Sequence, residues 1–179
     1  MKYYKYENPY IEDEVATDFL EVDNEVVLRQ LSVFKHKFYS SNVDLALTDQ
    51  PFEYEKNIDE GDDTIIPIEA KEFEKVWQKH LEEHEVHWQA AKARLPICSN
   101  VIGCIAIFFP QGIIVRLGQH ALSVTDYRQA KTTADSKFIM RTGRIISGVV
   151  MGYDEINQWI KLGSPNIHTD KECDPHDSK

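Results

Sequence analysis

The sequence predicts an α+β fold: a small N-terminal antiparallel sheet with a long helix, followed by a C-terminal five-stranded β-barrel. Three observations predict it. Short β-rich runs fill residues 1–66. Apolar residues then recur at helical spacing up to about Arg94. From Ile97 the pattern returns to strand, interrupted by glycines.

The elements follow in order. Lys2–Tyr6 is a tyrosine-rich strand segment. Asp18–Val22 and Val26–Phe34 are two β-rich runs joined by Asp23-Asn24-Glu25, an acidic Asn-containing connector that suits a tight hairpin. Alternation puts Val27, Arg29, Leu31 and Val33 on one face of the second run, and Val26, Leu28, Gln30, Ser32 and Phe34 on the other. Both faces carry large apolar side chains, so cover is expected on each. Phe38–Asn42 is a further strand candidate, and Glu53–Thr64 is acidic and loop-like. Pro67 is expected to open the helix, with Glu69, Glu72 and Glu74 near its positive end. Phe73, Val76, Trp77, Leu81 and Trp88 form its apolar stripe, and Pro96 ends it. Its expected role is a packing helix that bridges the two halves.

Five strand candidates follow: Val101–Phe109, Gly112–Leu117, Leu122–Thr125, Arg144–Met151 and Gln158–Leu162. Glycines at 103, 112, 118, 148 and 152 supply the bends that a small coiled barrel needs. Tyr153–Asn157 reads as a hairpin loop. Strand number and length match an OB-like β-barrel. The expected organisation is an acidic α+β domain over 1–95, an OB-like barrel over 96–166 and a flexible tail over 167–179.

Charge marks the same boundary. The whole chain carries −10 at pH 7, of which residues 1–95 carry −11, residues 96–166 carry +3 and residues 167–179 carry −2. A strongly anionic surface repels nucleic acid and suits basic partners. Cys98, Cys104 and Cys173 form no CxxC pair and are odd in number, so neither a disulfide framework nor a zinc motif is expected. Cys98 and Cys104 read as buried thiols on one strand face, and a reducing, cytoplasmic location fits. The segment MKYYKYENPYIEDE lacks the apolar core of a signal peptide, and the apolar run Val101–Phe109 is too short to span a bilayer.

Residues 97–163 resemble the S-one-type RNA-binding domain of ribosomal and ribonuclease proteins. The resemblance is carried by Val101-Ile102-Gly103-Cys104-Ile105, Phe109–Gly118, Thr142–Ile145 and Val149–Asp154. It implies an OB barrel. Readers of single-stranded RNA stack bases on aromatic rings, and at the positions matching that family's stacking residues this chain has Gln111, Ile114 and, near the third, Val124. The resemblance therefore implies the fold without the usual platform. The N-terminal half resembles small α+β proteins encoded beside bacterial toxin genes, through Phe19–Asp23, Leu28–Phe34 and the helix around Ala70–Trp77. That resemblance implies an immunity protein, which binds and neutralises a toxin. Many such toxins are basic nucleases, and an acidic inhibitor suits them.

Four groups of residues stand out for chemistry. His80-Leu81-Glu82-Glu83-His84 matches the H-x-x-E-H pattern of inverted zinc peptidases, and His87 follows near the same face. No third-ligand helix follows, so His80, His84 and His87 read as an ordinary helix face, with neither metal nor cofactor expected. Glu53, Glu55, Asp59, Glu60, Asp62 and Asp63 are a solvated acidic loop or, functionally, a toxin-facing patch. Phe108, Arg116, Arg128, Lys131, Lys137, Arg141 and Arg144 could contact nucleic acid, although a net +3 is ordinary surface charge. No nucleophile elbow, phosphate loop or dinucleotide fingerprint occurs, so the expectation is a non-catalytic protein-binding protein. Its expected partner is a cognate toxin or another basic protein, without a membrane; the alternative is an RNA-binding module.

Overall fold

The computed structural model describes residues 1–11, 14–48, 65–133 and 140–173. Over these the chain is a mixed α+β protein. It divides into two compact units, Met1–Glu83 and His84–Lys179. The division falls inside the long helix, rather than at residue 95 where the charge shifts.

The first unit holds a sheet of β1 (Lys2–Ile11), β2 (Glu14–Asp23), β3 (Val26–Phe34), β4 (Lys37–Ser40) and β5 (Ile66–Ile68), in the order β4-β3-β2-β1-β5. All its pairings are antiparallel. The β2–β3 hairpin closes where the connector is expected, with Asp23 opposite Val26 and positive φ at Asn24 (47°) and Glu25 (68°). Those two angles define a loop whose twist matches the strands. Lys35 and His36 make the next hairpin the same way, at φ 46° and 67°.

Both sheet faces are covered, as the alternation implies. One carries Leu20, Val22 and Val27, with Tyr4, Tyr6, Leu47 and Ile65 against them. The other carries Leu31 with Phe73, Trp77 and Leu81 of helix α1 (Ala70–Arg94). Val27 lies on the face opposite Leu31, not beside it. A bulge between Glu21 and Val22 breaks the alternation there. Pro67 does not open the helix. It sits in β5, an edge strand, opposite Tyr4 of β1. An edge tolerates the missing N–H. The helix begins three residues later, where the Glu69 carbonyl accepts from Glu72 and Phe73 N–H.

The second unit contains β6 (Asn100–Phe109), β7 (Gly112–Arg116), β8 (Leu122–Thr125), helix α2 (Tyr127–Thr133), β9 (Arg144–Asp154) and β10 (Trp159–Glu172). Each expected strand has its counterpart; α2 was not expected. The pairings run in a closed cycle, β10-β8-β7-β6-β9 and back to β10, in which only β8–β10 is parallel. Trp88 and Ala91 of α1 pack with Val101, Ala121, Val150, Ile160 and Leu162. Ile105, Ile113, Val115, Ile146 and Ile167 pack around Ala130 of α2.

Two expectations for this unit need correction. The chain expected to fray from residue 167 continues in β10 through Glu172, because the start of β9 pairs with it: Asn166 with Ser147, Ile167 with Ile146, His168 with Ile145. A register shift between Gly163 and Asn166 accommodates Pro165. The cysteines also differ from expectation. Cys104 and Cys173 form a disulfide across 69 positions, and Cys98 is an exposed free thiol. Cys98 precedes β6 at φ 70°, so it shares no strand face with Cys104.

Candidate functional sites

The acidic candidates Glu53, Glu55, Asp59, Glu60, Asp62 and Asp63 lie outside the described residues, as does Lys137. The described acidic surface of the first unit includes Glu69, Glu82 and Glu83, all exposed on or beside α1.

The first unit also contains a buried charge network that the sequence reading missed. Arg29 is 5% exposed and Glu21 7%. Arg29 Nε donates to Glu21 Oε2 at 2.5 Å, and its terminal nitrogens donate to Glu74 of α1. The guanidinium also stacks over Phe73 and Trp77, 4.8 and 5.1 Å from their ring centres. Tyr3 donates its hydroxyl to Glu21 Oε1 at 3.2 Å. Burial would lower the Arg29 pKa, but the hydrogen bonds to Glu21 and Glu74 outweigh it and raise the pKa further above its already high value. Burial and the Glu21 carboxylate both push the Tyr3 hydroxyl up. The alternation already placed Arg29 beside Leu31 and Val33 on an apolar face, which is the signal of a buried charge. Its partners could not be read from it.

The three helix histidines do not share an environment. His80 is fully buried in the first unit, its Nε2 2.9 Å from Asn42 Oδ1 and its ring against Trp77 and Phe38. His84 is half-buried and His87 exposed. His87 stacks on His120 in the β7–β8 turn, 4.1 Å between ring centres. Burial, then the charges of His87, His84 and Arg94, hold His120 below the ordinary histidine range. Among the described residues no group of three or more His, Cys, Asp or Glu could hold a metal ion.

Within the second unit α1 is fastened to the β9–β10 hairpin. Trp88 Nε1 donates to Glu155 Oε2 at 2.7 Å, Lys92 pairs with Glu155 at 3.1 Å, and Tyr153 OH donates to the Leu95 carbonyl at 3.0 Å. Burial would raise the Glu155 pKa, but hydrogen bonds from Trp88 and Lys92 outweigh it and lower the pKa. These contacts tie the helix to the hairpin.

The nucleic-acid candidates separate into two places. Phe109 is buried against Trp159, whereas Phe108 stays 36% exposed and meets Tyr127 edge to face at 6.3 Å. Tyr127 is 45% exposed and Arg128 is exposed beside it, with Lys131 further along α2. Asp126 Oδ1 caps this helix, accepting from Arg128 and Gln129 N–H. Arg141 and Arg144 lie elsewhere, both paired with Glu172 of β10. Arg116 is the cross-strand neighbour of Cys104. Ile114, at a stacking position of the resembled domain, is fully buried and cannot meet a base. Tyr127 was missed, although its position next to Arg128 was a readable hint.

Among the described residues no helix is long and apolar enough to cross a membrane. No protein-family model matches the chain, and neither a curated protein nor a solved structure is significantly similar to it.

Proposed function

We propose that the chain is a non-catalytic binding protein that captures a cationic polypeptide through its anionic N-terminal part. Within that class it is an immunity protein, neutralising a bacterial toxin whose active site is basic. The carrying observation is the charge asymmetry: −11 over residues 1–95 against +3 over 96–166. An inhibitor so charged is steered onto a basic surface and competes there with phosphate. The closed strand cycle, its single parallel pair and a helix between the third and fourth barrel strands support reading the barrel as OB type. The proposal places the protein in the cytoplasm. Unpaired cysteines no longer support that placement, because Cys104 and Cys173 are bonded.

Phe108 and Tyr127 support a second reading. An exposed aromatic pair beside Arg128 suits unpaired bases. Two experiments separate these readings. Replacing Asp62 and Asp63 by Lys should slow association with a basic protein partner at least several-fold at low salt, the difference fading as salt rises. An unchanged on-rate discards the acidic patch. Micromolar, salt-dependent binding of the full chain to single-stranded RNA, lost on Phe108→Ala, would replace the first reading by the second.

A further inference from the structure

We propose that the Cys104–Cys173 disulfide is a redox latch on the end of β10, holding Glu172 against Arg141 and Arg144 when closed and withdrawing it from them when reduced. The last run of consecutive β9–β10 pairs ends at His168–Ile145. Beyond it the register shifts, and a single pair, Glu172 with Arg144, remains. The described contacts that join residues 169–173 to the rest of the second unit are that pair, the Cys173 N–H bond to the Gly143 carbonyl, two side-chain ion pairs and the disulfide. In the Arg141 pair both side chains are more than half exposed to water, and Glu172 is equally exposed in the Arg144 pair. The Arg141 pair therefore holds weakly, whereas the Arg144 side chain is only 13% exposed. The covalent bond is the strongest of these ties.

The barrel end of the latch is secure without it. Cys104 is buried in β6, with Arg116 across β7 and Ile145 across β9. Gly143 donates its N–H to the Ile105 carbonyl, which keeps the start of β9 in place independently of Cys173. Opening therefore releases residues 169–173 and leaves the five-strand cycle intact. It also withdraws Glu172 from Arg141 and Arg144.

Cys173 is the half-buried member of the pair and Cys104 the buried one, so a reductant reaches Cys173 Sγ first. A protein dithiol of the thioredoxin class supplies the two electrons. Its thiolate attacks Cys173 Sγ, and Cys104 leaves as a thiolate that takes up a proton. The donor's second thiolate then displaces Cys173, and the donor departs as a disulfide.

The test uses the full chain carrying Cys98→Ser, which removes the third thiol. Alkylation without reductant should add no group to the aerobically purified protein, and two groups after thioredoxin treatment. Amide exchange at residues 169–173 should then quicken at least tenfold on reduction, while the Gly143 amide, hydrogen-bonded to Ile105, keeps its protection. The amides of Ile113–Val115 and Ile160 should keep their protection. A Cys104→Ser, Cys173→Ser double variant should match the reduced form. Two alkylations before reduction, equal exchange in both redox states, or collapse of protection throughout the barrel would each overturn the proposal.

Discussion

Arg29 has two carboxylate partners that differ in what they lose without it. Glu21 is buried with it, whereas the Glu74 side chain is about half exposed. Removing one partner of a buried ion pair strands the other charge, at a cost of roughly 3–5 kcal/mol. An exposed carboxylate returns to water at about 0–1 kcal/mol. Arg29→Ala should therefore lower the urea midpoint of the first unit far more than Glu74→Gln. Equal midpoints for the two variants would mean that Glu21 is not held by Arg29. The same contrast explains what could be read at this scale. Burial of Arg29 was legible, since it alternates with Leu31 and Val33. Its partner Glu74 stands 45 positions away, on another element, and no local pattern connects them.

At the scale of elements, period and turn chemistry carried most of the reading. The two-residue hairpin at Asn24-Glu25 was visible because asparagine tolerates positive φ. The equivalent hairpin at Lys35-His36 was not, because lysine does not prefer that geometry and the pairing of β3 with β4 imposes it. The bulge that moves Val27 to the other face leaves no mark in the run itself. Pro67 misled because proline serves both first helical turns and edge strands; only its pairing with Tyr4 decides. The barrel glycines were informative, and Gly112 most directly. It opens β7 at φ 143°, and a Cβ there would stand 2.4 Å from the Thr125 carbonyl oxygen. Gly118, at φ 118°, has no atom within 4 Å of a Cβ. Backbone strain of this kind costs about 1–3 kcal/mol. Gly118→Ala carries that strain alone, whereas Gly112→Ala adds a backbone clash between β7 and β8. Thermal melts should rank Gly112→Ala clearly below Gly118→Ala, and the reverse order would refute the close approach.

For the whole molecule, composition told more about partners than about covalent structure. The charge gradient is a property of the sequence and survives any fold. A disulfide is a property of the fold: three cysteines allow three pairings, and only the closing of β9 onto β10 brings Cys173 to Cys104. Its thermodynamic weight follows from the length of chain it closes. For a separation of 69 residues, the chain-entropy model gives about 4 kcal/mol, acting through the unfolded state. Releasing five residues locally costs much less than unfolding the unit, since such openings draw on only a few contacts. The two quantities should therefore separate in one titration of the Cys98→Ser protein. Reduction should lower the urea midpoint of the second unit by an amount equivalent to about 4 kcal/mol, while its barrel amides stay protected in the absence of urea. Coincident midpoints for oxidised and reduced protein would show that the bond adds nothing to global stability. Whatever it does would then be confined to the last residues of β10.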